Sequence, residues 1–199
     1  MPSPGITVGV KAVGPTAVAS RLKAFLSEQA CRASAEQYGR SLHAVVLTGS
    51  LARDEATFVR QEPWWTMLGD ADFLLVLDAR SPLPGPSALQ RLAKRVEEAL
   101  AEQGLLCHLS LGAVHPNYFR RLRPHIFAFE LRACGQVLWG NPGILSLIPE
   151  FLASDIPLED GWRLLSNRMV EFLGLADELT ATTVSPHVQY RTAKLYLDM

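Results

Sequence analysis

Two carboxylates separated by one residue, Asp70 and Asp72, directly precede the apolar run 73–77. Side chains alternate across a strand, so both carboxylates are expected on one face, close enough to share a divalent cation. The alternative is a solvated turn. Because unpaired carboxylates at the head of an apolar strand are costly to desolvate, a cation partner is the favoured interpretation. The arrangement suits a magnesium-bound nucleotide.

A small turn, Gly49-Ser50, ends the preceding apolar run 44–48. Ser50 is expected to begin a short helix, and the free amides at a helix start are suited to an anion such as phosphate. Ser50 is also a good helix cap, and that structural role is compatible with a phosphate contact. The chain therefore pairs a turn suited to phosphate with two carboxylates suited to a metal ion.

Gly49-Ser50 followed by Asp70-x-Asp72 resembles the nucleotidyltransferase superfamily, which includes DNA polymerase beta-like and antibiotic-modifying members. The resemblance covers roughly residues 42 to 140 and implies a small mixed β-sheet. It also implies that Gly49 and Ser50 contact nucleotide phosphate and that Asp70 and Asp72 are catalytic and hold Mg²⁺. One departure is the segment 51–69, which is longer than in compact members, with the excess at 58–67.

A third carboxylate normally completes a site of this kind, and the resemblance implies one on the strand after the helix. Segment 105–111 contains no acid. The nearest candidate for a third catalytic acid is Glu130, whose alternative role is a salt bridge to a neighbouring arginine. If there is no third acid, we expect either nucleotide binding without transfer or the use of another base, such as His108.

Two basic residues are predicted to contact the nucleotide. Arg53 lies three residues after Ser50 and is expected beside the phosphates, although a solvated arginine fits the sequence equally well. The resemblance implies that a basic residue of the helical region reaches the nucleotide, and this role falls on Lys194.

Of the adjacent indoles Trp64 and Trp65, at most one can stack on a base, and core packing is the favoured interpretation.

Composition describes an ordinary globular protein. The 199 residues are 48% hydrophobic and carry a formal net charge of −1, which argues against nucleic acid as a partner bound through bulk charge. The three cysteines have no C-x-x-C spacing, so neither a disulfide framework nor a zinc site is indicated. Residues 1–15 do not form a signal segment and no stretch has the length of a membrane helix, so we expect a cytoplasmic location and no membrane contact.

Hydrophobic periodicity predicts an α/β (α+β) fold with a helical region at 143–199. The resemblance implies that a small mixed sheet flanked by helices occupies residues 1–142. The final helix carries apolar residues to its last position, so we expect this region to be part of a longer protein; the alternative is a helix that docks and ends. Segment 125–131 fits a strand or a helix. Helices are predicted at 16–39, 50–59, 87–104, 117–123, 143–152, 158–176 and 186–199, and strands at 42–48, 71–77, 105–111 and 135–140.

The activity that the resemblance implies is magnesium-dependent transfer of a nucleoside monophosphate, with AMP from ATP as the first choice, to a hydroxyl group of a small molecule. Two alternatives stay open. One is a regulatory or antitoxin-type enzyme that acts on a protein partner, favoured if apolar helical faces are open after residue 143. The other is a degenerate nucleotide-binding module without turnover, favoured by the missing acid on segment 105–111.

Overall fold

A computed structural model describes residues 15–179 and 184–197. It divides into two compact units, the first containing residues up to 122 with 130–149, the second containing 123–129 and the residues from 150 onward. The predicted limits 1–142 and 143–199 of functional domains stay a prediction. Segment 1–15, which is predicted not to form a signal segment, lies outside the described residues except for residue 15. The last two residues of the predicted final helix also lie outside them.

The first unit contains a five-stranded sheet with helices between its strands. Its longest strand, β3, pairs antiparallel with β2 through its first half and with β1 through its second half. β4 pairs parallel with β3, and β5 pairs antiparallel with β1. This mixed sheet with flanking helices confirms the predicted fold class. The elements are α1 (Pro15–Tyr38), β1 (Leu42–Thr48), α2 (Gly49–Ala52), β2 (Thr57–Gln61), β3 (Trp64–Leu77), α3 (Pro86–Ala101), β4 (Leu105–Val114), α4 (Pro116–Arg120) and β5 (Gln136–Gly140).

The main core lies between one face of this sheet and the apolar faces of α1 and α3. Leucines and valines spaced by two along the strands meet leucines spaced by three and four along the helices, as their periodicities predict. Such a core fixes the register of β1 and β3, because a slip by one residue would turn the apolar set to the other face. The buried members include Leu26, Val45, Leu47, Ala71, Phe73, Leu75, Leu92, Val96, Leu100 and Leu109.

The predicted helix at 50–59 is wrong beyond its first residues. The helix α2 ends at Ala52, and Asp54 adopts a positive φ of 60°, which an α-helix cannot continue through. The chain then forms β2, so the predicted excess at 58–67 belongs to a hairpin of β2 and β3. The indole of Trp65 packs against the core, as favoured, whereas Trp64 is 39% exposed.

Two segments that periodicity left uncertain or misassigned are also settled. Segment 125–131 belongs to a helix, α5 (Ile126–Cys134). The predicted helix at 143–152 is wrong except for a short 3₁₀ turn, Ile144–Leu147. Ile144 and Ile148 are buried, but the backbone is extended at Ile148, which ends the turn.

The second unit contains α6 (Leu158–Leu173), α7 (Ala176–Leu179) and α8 (Pro186–Leu197). α6 packs against α8, and Glu171 of α6 pairs with Arg168 at 3.0 Å and with Arg191 of α8 at 3.7 Å. In the described part of the chain, no helix combines the length and the apolar character needed to cross a membrane. Large apolar side chains of α6 are exposed to solvent: Leu158, Trp162, Met169, Val170 and Leu173.

Candidate functional site

The turn after β1 lies directly beside the second carboxylate of β3. Thr48, the last residue of β1, is the register partner of Asp72. The next residue, Gly49, has a φ of +68°, and the chain turns there into α2. The Gly49-Ser50 turn and Asp72 are therefore brought together by strand pairing, although the 21 residues between Ser50 and Asp72 separate them in sequence.

Gly49 is needed in this turn for two physical reasons. Its positive φ is adopted readily by glycine and at a cost by most other residues. A Cβ at this position would also overlap Oδ2 of Asp72 and lie 3.3 Å from its Cγ. The turn backbone and the carboxylate thus approach more closely than any side chain at position 49 would allow.

Asp70 and Asp72 lie on one face of β3. Between and after them, Ala71 and Phe73 are buried in the core, at 0% and 2% exposure, on the opposite face. The pairing of β3 with β4 is regular from Asp70 onward, so the alternation holds across this segment. Asp70 is exposed to solvent and Asp72 is half-buried.

The neighbouring strand β4 places His108 beside Asp70 and Ser110 beside Asp72. The Nδ1 atom of His108 lies 2.9 Å from Oε1 of Glu97 on α3. The same oxygen of Glu97 accepts a hydrogen bond from the backbone N–H of Leu109 at 2.7 Å. Glu97 thus fixes one nitrogen of an imidazole whose side chain is otherwise 70% exposed. Glu97 was not predicted from the sequence, because no local pattern connects it to β4.

Arg53 and Glu130, two predicted site residues, form an ion pair. Nη1 of Arg53 lies 2.8 Å from Oε2 of Glu130, and its Nε lies 2.7 Å from Oε2 of Glu55. This matches the alternative role of Glu130, a salt bridge to a neighbouring arginine, and its catalytic role stays a prediction. Burial acts to lower the pKa of the Arg53 guanidinium, but the two carboxylates outweigh it and raise that pKa. Arg53 is therefore a permanent cation beside the turn.

The donor set at this end of the sheet fits Mg²⁺. Among residues 15–179 and 184–197, no three or more His, Cys, Asp and Glu side chains are grouped to hold a metal ion. Mg²⁺ does not require such a cage, because it binds through one or two carboxylates together with substrate phosphates and water. The oxygen-only pair of Asp70 and Asp72 matches that preference.

Lys194 belongs to α8 of the second unit. Its Nζ lies 5.8 Å from the ring centroid of Tyr190, four residues earlier on the same helix. Its contact with a nucleotide stays a prediction.

The thiols of Cys31, Cys107 and Cys134 are free. Burial raises the pKa of Cys31 to about 11, and burial with the charge of Glu97 raises the pKa of Cys107 to about 12, so neither thiol is a nucleophile near neutral pH.

No protein family model and no curated protein matches the chain. Among solved structures, the chain is similar in fold to a toxin-antitoxin crystallised with AMP-PNP, at 14% identity and a TM-score of 0.41, over 78% of this chain and 98% of that one. It is also similar to two mutants of the toxin-antitoxin MntA-HpeT. The first has 14% identity and a TM-score of 0.40, over 78% and 98% of the two chains. The second has 15% identity and a TM-score of 0.38, over 77% and 98%.

Proposed function

We propose that the first unit is a nucleotidyltransferase-type domain that binds magnesium-ATP and transfers AMP to a hydroxyl group, releasing pyrophosphate. The observation that carries this proposal is the close approach of Gly49 to the carboxylate of Asp72, with Asp70 on the same face of β3. A phosphate group seated on the turn would lie beside two acidic residues, and a cation between them would compensate the like charges.

The phosphate end of the site is assigned to the turn and to Arg53. The hydroxyl of Ser50 and the backbone N–H groups of the turn are hydrogen-bond donors for phosphate oxygens. Arg53, anchored by its own N–H to the carbonyl of Gly49 at 3.3 Å, supplies positive charge on the same turn. Lys194 remains a proposed additional phosphate contact from the helical region.

The acidic end of the site is assigned to Asp70 and Asp72, which would hold Mg²⁺. When bound, the ion supplies charge neutralisation for the phosphates and fixes their orientation. The two carboxylates confer selectivity for a hard cation, because carboxylate oxygens suit Mg²⁺ better than soft metals. The glycine beside Asp72 lets the phosphate-binding turn come within reach of the same ion.

In the proposed reaction the acceptor oxygen forms a bond to the α-phosphorus, and the bond from that phosphorus to pyrophosphate breaks. The hydroxyl proton needs an acceptor among the protein's own side chains. Glu130 is ion-paired with Arg53, so its carboxylate is already engaged and its role as a base is the weaker assignment. His108, held through Nδ1 by Glu97 and beside Asp70 in the sheet, is the better proton acceptor.

Two classes of molecule are candidates for the acceptor of AMP. A small hydroxylated molecule is the first choice from the sequence. A protein acceptor is the second candidate, and it is favoured by the exposed apolar residues of α6, which we name the α6 stripe (Leu158, Trp162, Met169, Val170 and Leu173). Exposed apolar patches of this kind are common at protein interaction sites. A partner protein of a toxin-antitoxin pair, the class named for the similar solved structures, is one such acceptor.

The test is incubation with α-labelled ATP and Mg²⁺, in parallel with a panel of small hydroxylated acceptors and with a cell lysate. Label on a small molecule supports the first candidate, and label on a protein supports the second. The matched control is the Asp70→Asn/Asp72→Asn variant, which should transfer no label. Binding of magnesium-ATP without any label transfer by the unmodified protein would contradict transfer and favour a nucleotide-binding module.

A further inference from the structure

Arg53 is shared between two carboxylates that come from different parts of the first unit. Glu55 follows it by two residues, and its own N–H donates to the carbonyl of Ser50 at 2.9 Å, so Arg53 and Glu55 belong to one turn. Glu130 comes from α5. One cation therefore faces two anions, and the cluster has a net negative charge beside the turn assigned to phosphate.

A guanidinium in this state is a weak site for a further anion. Its charge is compensated twice, and the Arg53 side chain is only 25% exposed, so solvent screens the carboxylates incompletely. Arginine binds phosphate best when its fork of N–H groups is available for paired hydrogen bonds. Two of the N–H directions of Arg53, at Nε and Nη1, are already directed at carboxylates.

Glu55 and Glu130 differ in how easily their carboxylates can separate from the guanidinium of Arg53. Glu55 is tied to the turn by its backbone and by its closeness to Arg53 in sequence, so it stays near the guanidinium in any state of the turn. Glu130 depends on a side-chain contact alone, and at 37% exposure water can replace that contact at modest cost. Glu130 is thus the partner that a phosphate group would replace.

We infer that Glu130 competes with the nucleotide phosphates for Arg53: it holds the guanidinium in the free protein and gives it up when magnesium-ATP binds. The inference rests on the proposed function and deepens it. Under this inference Glu130 is a positioning residue that sets nucleotide affinity through Arg53. Its carboxylate neither holds the metal ion nor accepts the proton of the acceptor hydroxyl.

Substitution of Glu130 separates this inference from a purely supportive role. Glu130→Gln keeps an oxygen that can accept the hydrogen bond of Arg53 but removes the negative charge. If Glu130 competes with phosphate, this variant should bind magnesium-ATP about three- to tenfold more tightly. If Glu130 only supports Arg53, the affinity should stay the same for Glu130→Gln and fall for Glu130→Ala.

The measurement is isothermal titration calorimetry of the full chain with Mg²⁺ and an ATP analogue that cannot be cleaved between its α- and β-phosphates. The matched control is Glu171→Gln, because Glu171 is also paired with arginines and has a similar exposure of 36%. In the Arg53→Gln background, Glu130→Gln should no longer change the affinity. A change in affinity that persists in the double variant would show that Glu130 acts other than through Arg53 and would overturn the inference.

The outcomes distinguish the inference from the function on which it rests. Tighter binding by Glu130→Gln alone, with no change in the control, supports the competition. Unchanged or weaker binding by Glu130→Gln, with normal binding by the unmodified protein, overturns it. Absence of analogue binding by the unmodified protein would contradict the proposed function itself, and the inference with it.

Discussion

The space that a side chain at Gly49 would occupy is filled by the carboxylate of Asp72. This relationship connects the turn after β1 to the acidic face of β3, and strand pairing between Thr48 and Asp72 maintains it. The turn is therefore not a free loop beside the acidic pair. Its backbone is fixed against one of the two carboxylates proposed to hold Mg²⁺.

Gly49→Ala should both strain the turn and displace Asp72. We expect it to lower the free energy of unfolding by about 1–3 kcal/mol, from the positive φ and the steric overlap. It should also abolish stabilisation by magnesium-ATP in a thermal shift assay. Urea denaturation gives the first quantity.

Gly39→Ala is the control for backbone strain in the Gly49→Ala experiment. Gly39 also has a positive φ, of 49°, but a Cβ there would meet no atom within 4 Å. It should lower stability through strain alone and leave nucleotide stabilisation intact. Normal nucleotide stabilisation of Gly49→Ala would contradict the role of this close approach.

His108→Gln tests the proton acceptor. Because the imidazole is proposed to act only on the acceptor hydroxyl, the variant should bind magnesium-ATP normally and lose about 10²–10⁴-fold in transfer rate. His187→Gln, which changes a histidine of α8 in the second unit, should keep the rate. A transfer rate of His108→Gln equal to that of the unmodified protein would remove His108 from the reaction, and Glu130 would return as the candidate base.

The α6 stripe gives a prediction about the acceptor. Trp162→Ser removes a large apolar side chain that is 62% exposed, so it should change the free energy of unfolding by no more than about 0.5 kcal/mol. If the acceptor is a protein docked on this stripe, label transfer to lysate protein should be lost while nucleotide binding stays normal. Leu83→Ser, at an exposed apolar position of the first unit, is the control. Unchanged labelling by Trp162→Ser would exclude the α6 stripe as the docking surface.

Elements with a strong local pattern were predicted well from the sequence. The continuous apolar run of β1 predicted the strand 42–48 with its observed bounds, because every position except His43 is buried. The first half of β3 was missed. There the strand pairs with β2, most of its side chains are only partly buried, and Gly69 adopts a φ of +95°. The sequence of this segment therefore shows no clear alternation of apolar and polar residues.

The candidate site was predictable only in the part that follows from local spacing. Asp70-x-Asp72 and Gly49-Ser50 can be recognised because each motif is contiguous. The pairs Arg53 with Glu130 and His108 with Glu97 form between distant segments. Their partners are set by packing of α5 and α3, which a single sequence does not encode in any short pattern.

The central claim is tested most directly by the Mg²⁺ dependence of nucleotide binding. In thermal unfolding with saturating ATP, Mg²⁺ should raise the Tm of the unmodified protein by about 5–10 °C. The reason is that a ligand at a hundred times its Kd adds about 2.7 kcal/mol to the free energy of unfolding. Asp70→Asn/Asp72→Asn should fold normally and lose this gain. Equal shifts in the two proteins, or no shift in the unmodified protein, would contradict a magnesium-nucleotide site at Asp70 and Asp72.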